Sequence, residues 1–145
     1  KVVVDYFLDR NSYNHAGYII MDKMVGSYDR DQYIIELLSL SLQDRISYTV
    51  DDMLDKIETR TIKNDGLSQV AEYYLGQNLL EESLSYVYRM DGGRDMLLKK
   101  ISDRYFDTFR TQEAYDIAQG ITNVSLYNTI FSDRNLYFIK EIDLI

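Results

Sequence analysis

Apolar residues along this chain recur at helical spacing, in blocks separated by short polar breaks. The blocks echo one another. Val4-Asp5-Tyr6-Phe7-Leu8 resembles Ala71-Glu72-Tyr73-Tyr74-Leu75. Ile101-Ser102-Asp103-Arg104 resembles Phe131-Ser132-Asp133-Arg134, and Glu82-Ser83-Leu84 parallels Glu113-Ala114-Tyr115. With Val4, Ser41, Ala71, Ser102 and Ser132 as anchors, the gaps are 37, 30, 31 and 30 residues. The residue before each anchor is apolar: Val3, Leu40, Val70, Ile101 and Phe131. Four before stand Leu37, Leu67 and Leu98, then Asn128. Three after stand Phe7, Tyr74 and Tyr105, while Asp44 and Asn135 break that column. Twelve after the first four anchors come Ala16, Met53, Ser83 and Ala114.

Positions −4, −1, 0, +3 and +4 share one face of a 3.6-residue helix. A small residue at the anchor lets a second helix approach to about 8–10 Å. The second helix then continues its own apolar face as Ile19-Ile20, Ile57, Tyr86-Val87 and Ile117-Ala118. The pattern predicts helical hairpins with no sheet. First helices fall near 2–10, 33–46, 66–76, 96–107 and 126–138, second helices near 13–25, 51–62, 80–91 and 112–121. Turns are expected at Gly26–Asp31, Gly76–Asn78, Asp91–Gly93 and Gly120–Ser125, where glycine and short polar residues gather.

The spacing resembles the tetratricopeptide repeat. In that family the first helix has a large apolar residue, then an apolar–small pair, then an aromatic three residues on, and the second helix has a small residue twelve places after the first. Leu67, Val70-Ala71, Tyr74 and Ser83 match, as do Leu98, Ile101-Ser102, Tyr105 and Ala114. Leu37 and Leu40-Ser41 match in part. The chain departs from the family in its 30–31-residue spacing rather than 34, its lack of tryptophan and closing proline, and Met53 in a small-residue slot. The resemblance implies an all-α fold, a right-handed α-solenoid of antiparallel helical hairpins with about 4.5 repeats. It covers residues 1–145 as one domain, or as a segment of a longer solenoid. A non-repeating helical bundle is the alternative.

Composition narrows the chemistry. Proline is absent and only 7 of 145 residues are glycine, which long helices tolerate and turn-rich β proteins do not. The absence of cysteine excludes disulfides and thiolate zinc sites, and suits a reducing compartment; a cytoplasmic location is the expectation. No apolar run reaches membrane-spanning length, so membrane insertion is not expected. Lys1-Val2-Val3-Val4 soon meets Asp5, Asp9 and Arg10, unlike a signal peptide. A net charge of −8 disfavours nucleic acid and favours a basic partner.

Catalytic candidates are few. His15 is the sole histidine, without a nucleophile near it in sequence. Asp51-Asp52 and Glu81-Glu82 each precede a second-helix core position and read as first-turn acids. Asp91-Gly92-Gly93-Arg94-Asp95 lacks the spaced acids and closing glutamate of a calcium loop and reads as a turn. Lys99, Lys100, Arg104 and Arg110 are interspersed with acids, as on a solvated face. No enzyme activity, cofactor or metal is therefore expected; an enzymatic or small-ligand-sensing role is the competing class.

The resemblance instead implies a protein-interaction scaffold, with a chaperone-like adaptor as one version. First helices would line a concave groove. The residues after the anchors are Asp5, Leu42, Glu72, Asp103 and Asp133, with Asp9 and Asp107 a turn further on. Leu8, Leu75, Phe106 and Leu136 would supply an apolar floor. The expected partner is a protein segment carrying lysine or arginine with apolar anchors. The last anchor, Ser132, lacks a complete second helix, so self-association through open ends is a further expectation.

Overall fold

A computed structural model describes residues 2–26, 28–132 and 134, and every regular element among them is helical. In order these are α1 (Val2–Asp9), α2 (Tyr13–Tyr18) continuing into a π-helical turn (Ile19–Lys23), α3 (Tyr28–Leu42), α4 (Val50–Lys56), α5 (Arg60–Gly76), α6 (Leu80–Arg89), α7 (Asp95–Asp107), α8 (Thr111–Ala118) and α9 (Val124–Ser132). Tertiary contacts divide the chain into two compact units, Lys1–Tyr73 and Tyr74–Ile145, with the division falling inside α5.

One turn motif closes α1, α3, α5 and α7. Asn11, Asp44, Asn78 and Phe109 all have φ between 54° and 62°. The N–H of each donates three residues back, to the carbonyls of Leu8, Ser41, Leu75 and Phe106 at 3.0–3.1 Å. The following N–H, of Ser12, Arg45, Leu79 and Arg110, donates five back, to Phe7, Leu40, Tyr74 and Tyr105 at 2.9 Å. This is the Schellman closure, in which a left-handed residue satisfies carbonyls that a helix end otherwise orphans. The left-handed residues are 33, 34 and 31 apart. The other connections start differently. Met24, Ile57 and Met90 turn extended at the ends of the π turn, α4 and α6. Ile57, Met90 and, after α8, Ile121 are buried apolar plugs.

In the first unit α1 packs on α2, and α3 packs on α4 and on the π turn. Val4, Ala16, Ile20, Ile34, Leu37, Leu38, Met53 and Leu54 are fully buried. Close approach requires Gly17, where a Cβ would lie 2.9 Å from Ile46 Cδ1 and 3.0 Å from the Tyr48 ring. In the second unit α7 packs on α6, α8 and α9. Ser83, Leu98, Ile101, Ser102, Ala114, Ala118 and Ile130 are buried there. Ser102 Oγ donates to the Ala114 carbonyl at 2.8 Å, so the two small residues lie at the closest approach of α7 and α8.

The turn motif corrects one register. Ser41 keeps the twelve-residue spacing to Met53, but the left-handed residue aligns Leu37 with Val4, Ala71 and Ser102. In that register Leu40 joins Phe7, Tyr74 and Tyr105, and the interrupted column becomes apolar in all four cases. The α3–α4 connection is four residues longer than its counterparts, because α4 begins at Val50 where α2, α6 and α8 begin two residues after the left-handed position. Other boundaries move too. α4 stops at Lys56 rather than reaching 62, and α5 starts at Arg60 rather than 66. Residues 28–31 are helical rather than a turn, with Arg30 and Asp31 buried. Val3 and Ser132 are exposed and are not core positions.

Candidate functional site

Asp103, Phe106 and Asp107 stand three and four residues apart on α7 and therefore share one face. The guanidinium of Arg134 enters among them. Its Nη1 donates to Asp103 Oδ1 at 2.7 Å and to the Ile130 carbonyl at 2.9 Å. Its Nη2 donates to the Asp103 carbonyl and to Asp107 Oδ1, both at 3.3 Å. The guanidinium carbon lies 4.8 Å from the centroid of the Phe106 ring. Lys99 completes the Asp103 carboxylate from one turn earlier, with Nζ donating to Oδ2 at 2.7 Å. Phe106 meets Phe131 edge-on at 5.8 Å, and Phe131 also contacts Tyr115 and Tyr127, so the aromatic floor is held from below.

The chemistry of this socket suits arginine. A planar, weakly hydrated guanidinium can donate in several directions at once while lying over a ring, which a lysine ammonium cannot do as well. The Asp103 pair is mostly shielded. Asp107 keeps 67% of its side chain in solvent, so its contact with Arg134 contributes less than about 1 kcal/mol.

The other residues that sequence assigned to a groove fall differently. Asp5 is half-buried and accepts the Tyr33 hydroxyl at 2.7 Å. Burial and then the Asp5 carboxylate push the Tyr33 phenol up to about 12. Asp5 is thus engaged within the first unit. Leu8 is half-buried, and Asp9 and Glu72 are exposed. Leu75 does not line a partner-accessible floor: its side chain is 5% exposed and packs in the core at the end of α5. Asp133 and Leu136 lie outside the described residues. Of the sequence-assigned positions, the structure brings together Asp103, Phe106 and Asp107. Sequence reasoning missed Arg134 as their occupant, although the Ser-Asp-Arg echo ending at that residue was visible.

Two further carboxylates are structural. Asp31, fully buried in the first turn of α3, accepts the N–H groups of Glu58 (3.2 Å) and Thr59 (2.7 Å) just before α5. Its other oxygen takes Arg30 Nη2 at 3.2 Å, and Arg30 also donates to the Lys56 carbonyl at 3.0 Å. Burial alone would raise the Asp31 pKa, but hydrogen bonds from Thr59 and Arg30 outweigh it and hold it below the usual carboxylate range. Asp95 repeats the arrangement at the start of α7, accepting the N–H groups of Thr122 (3.1 Å) and Asn123 (2.9 Å) before α9. The Thr122 N–H leads in lowering its pKa.

Among the described residues no group of three or more histidines and acids is placed to hold a metal ion, and no helix is long and apolar enough to cross a membrane. Comparisons with protein families, with curated proteins and with solved structures gave no match to this chain.

Proposed function

We propose that this chain is a divergent tetratricopeptide-like stack of helical hairpins, wound as a right-handed α-solenoid, that binds a basic segment of a protein partner and catalyses no reaction. Four Schellman turns 33, 34 and 31 residues apart support the repeat reading, and lie closer to the family's 34-residue length than the apolar anchors do. The paired staples support it as well. Asp31 reaches residues 58 and 59, and Asp95 reaches 122 and 123, the same 27 and 28 positions ahead. Such near-neighbour contacts are those of hairpins that bury their faces only by stacking.

The observation that carries the binding reading is the Arg134 guanidinium seated on Asp103, Asp107 and Phe106. One face of α7 holds this arginine by carboxylate charge, the Asp103 carbonyl and the Phe106 ring together. Asp107 retains open carboxylate surface for an incoming cation. The chain's net charge of −8 steers basic partners toward it. The test is fluorescence anisotropy with a labelled, amidated peptide of alternating arginine and leucine. Binding should weaken as salt rises from 50 to roughly 300 mM, because exposed charges are screened over about 6–14 Å across that range. The Asp103→Asn/Asp107→Asn variant should bind about tenfold more weakly. A peptide that is ignored, or that binds equally to the variant, would sink the reading.

A further inference from the structure

The turn Asp91-Gly92-Gly93 joins α6 to α7 and belongs to no regular element. All three residues are exposed. Arg94 draws the two ends of this loop together. Its Nε donates to the Met90 carbonyl at 2.7 Å and its Nη2 to the Tyr88 carbonyl at 3.2 Å, at the end of α6. Gly93 has a left-handed φ of 69°, which accounts for a glycine there. The fold makes no such demand at 92. A Cβ on Gly92 would meet no atom within 4 Å, and its φ is not left-handed. The sequence holds a second aspartate–glycine pair, Asp65-Gly66, inside α5. There Gly66 is buried, and a Cβ would lie 3.0 Å from Ile35 Cδ1 and from Leu54 Cδ2.

We infer that Asp91 is a site of spontaneous isoaspartate formation, and that the product is a substrate for an S-adenosylmethionine-dependent carboxyl methyltransferase. The first step is an internal condensation. The Gly92 amide nitrogen attacks Cγ of the protonated Asp91 carboxyl and gives up its proton. The Cγ hydroxyl leaves as water, and a five-membered succinimide closes. Water then opens the ring. Cleavage of the bond from nitrogen to Cγ restores aspartate. Cleavage of the bond from nitrogen to the main-chain carbonyl carbon leaves isoaspartate, with the chain routed through Cβ and a free α-carboxylate. Only water is released and taken up. Ring closure needs the aspartate ψ to leave the helical value of about −42°, and a next residue that does not crowd the nitrogen. Asp91-Gly92 lies outside any helix and meets both needs. Asp65-Gly66 has the same side chains but sits in α5, where each interior N–H donates four residues back and reaction requires local opening. Exposure of the loop then presents the new α-carboxylate to an enzyme. Methyl transfer from the sulfonium to a carboxylate oxygen leaves S-adenosylhomocysteine. The same nitrogen can expel methanol from that ester, re-forming the succinimide and returning part of the chain to aspartate. This inference is independent of the partner-binding reading.

The test ages the full, folded chain in warm neutral buffer. Samples are labelled with a purified isoaspartyl methyltransferase and radioactive S-adenosylmethionine. Peptide mapping with electron-transfer fragmentation, which separates isoaspartate from aspartate, locates the product. Isoaspartate at 91 should exceed that at 65 by at least about tenfold in the folded chain, because the helix must open before Asp65 can react. In urea the two sites should accumulate it within about threefold of each other, since the residue pair is the same and the helix is gone. Gly92→Ala, for which there is open space, should slow accumulation at 91 by about tenfold, since a Cβ restricts the backbone and crowds the attacking nitrogen. Asp91→Glu, whose longer side chain cannot close the five-membered ring, should lose methyl labelling at this loop. No isoaspartate at 91 in the aged chain, an equal amount at 65, an unchanged rate in Gly92→Ala, or isoaspartate at 91 that the enzyme leaves unmethylated would each overturn the inference.

Discussion

Asp31 and Asp95 make the same connection in different surroundings, and the difference is measurable. Asp95 is partly solvated, so Asp95→Ala removes a cap of the ordinary kind and should cost about 1 kcal/mol. Asp31→Ala would also take the buried carboxylate from the Arg30 guanidinium, leaving it the exposed Glu58 and the Lys56 carbonyl, and breaking one side of a buried pair costs up to about 3–5 kcal/mol. Urea titrations of the two variants should show that gap. The acid limb follows from the same hydrogen bonds. Because the folded-state pKa of Asp31 lies below its ordinary value near 3.8, its contribution is complete above about pH 4 and is lost as pH falls through the depressed value. Asp31→Asn should flatten the stability profile below pH 4. Tyrosine gives the opposite limb. Tyr33 and Tyr48 are each raised to about 12, first by burial and then by Asp5 and Asp22 respectively. Their contribution is present below pH 10 and fades as pH climbs toward 12. Tyr33→Phe with Tyr48→Phe should remove that alkaline decline in a circular-dichroism titration.

At the level of elements, the small residues decide how closely helices meet. Ser102 and Ala114 are both fully buried, and a hydroxyl–carbonyl bond joins them. Ala114→Leu should overpack α7 against α8 and cost about 1–3 kcal/mol, read as a lowered melting temperature. The contrast between visible and hidden features follows from this geometry. Ala16, Met53, Ser83 and Ala114 were readable as second-helix core because burial leaves a periodic mark, and all four are fully buried. The slip from Leu37 to Ser41 was not readable, because one helical turn preserves the apolar face and only the left-handed residue reveals the register. The first turn of α3 was hidden for a similar reason. Charged Arg30 and Asp31 look like loop residues until their partners at Lys56, Glu58 and Thr59 are placed. The acids of α7 were visible, but their occupant was not, since Arg134 lies 31 residues from Asp103 and pairing at that distance leaves no local pattern.

For the molecule as a whole, each compact unit carries its own core and its own staple. Hydrogen exchange on Asp31→Ala should therefore show amides of α3 and α4 losing protection first, while those of α7 and α8 keep theirs. Equal loss in both would show one cooperative block. The side-chain hydrogen bonds described between distant segments also share a short reach, none longer than the 33 residues from Asn14 to Ser47. A chain tied together at that range has few long-distance clasps to snap at once. Held between handles and stretched, such a polymer would act as a shock absorber. It would pay out slack one hairpin at a time, about 110 Å for each 33-residue length, and rewind link by link when the load is released.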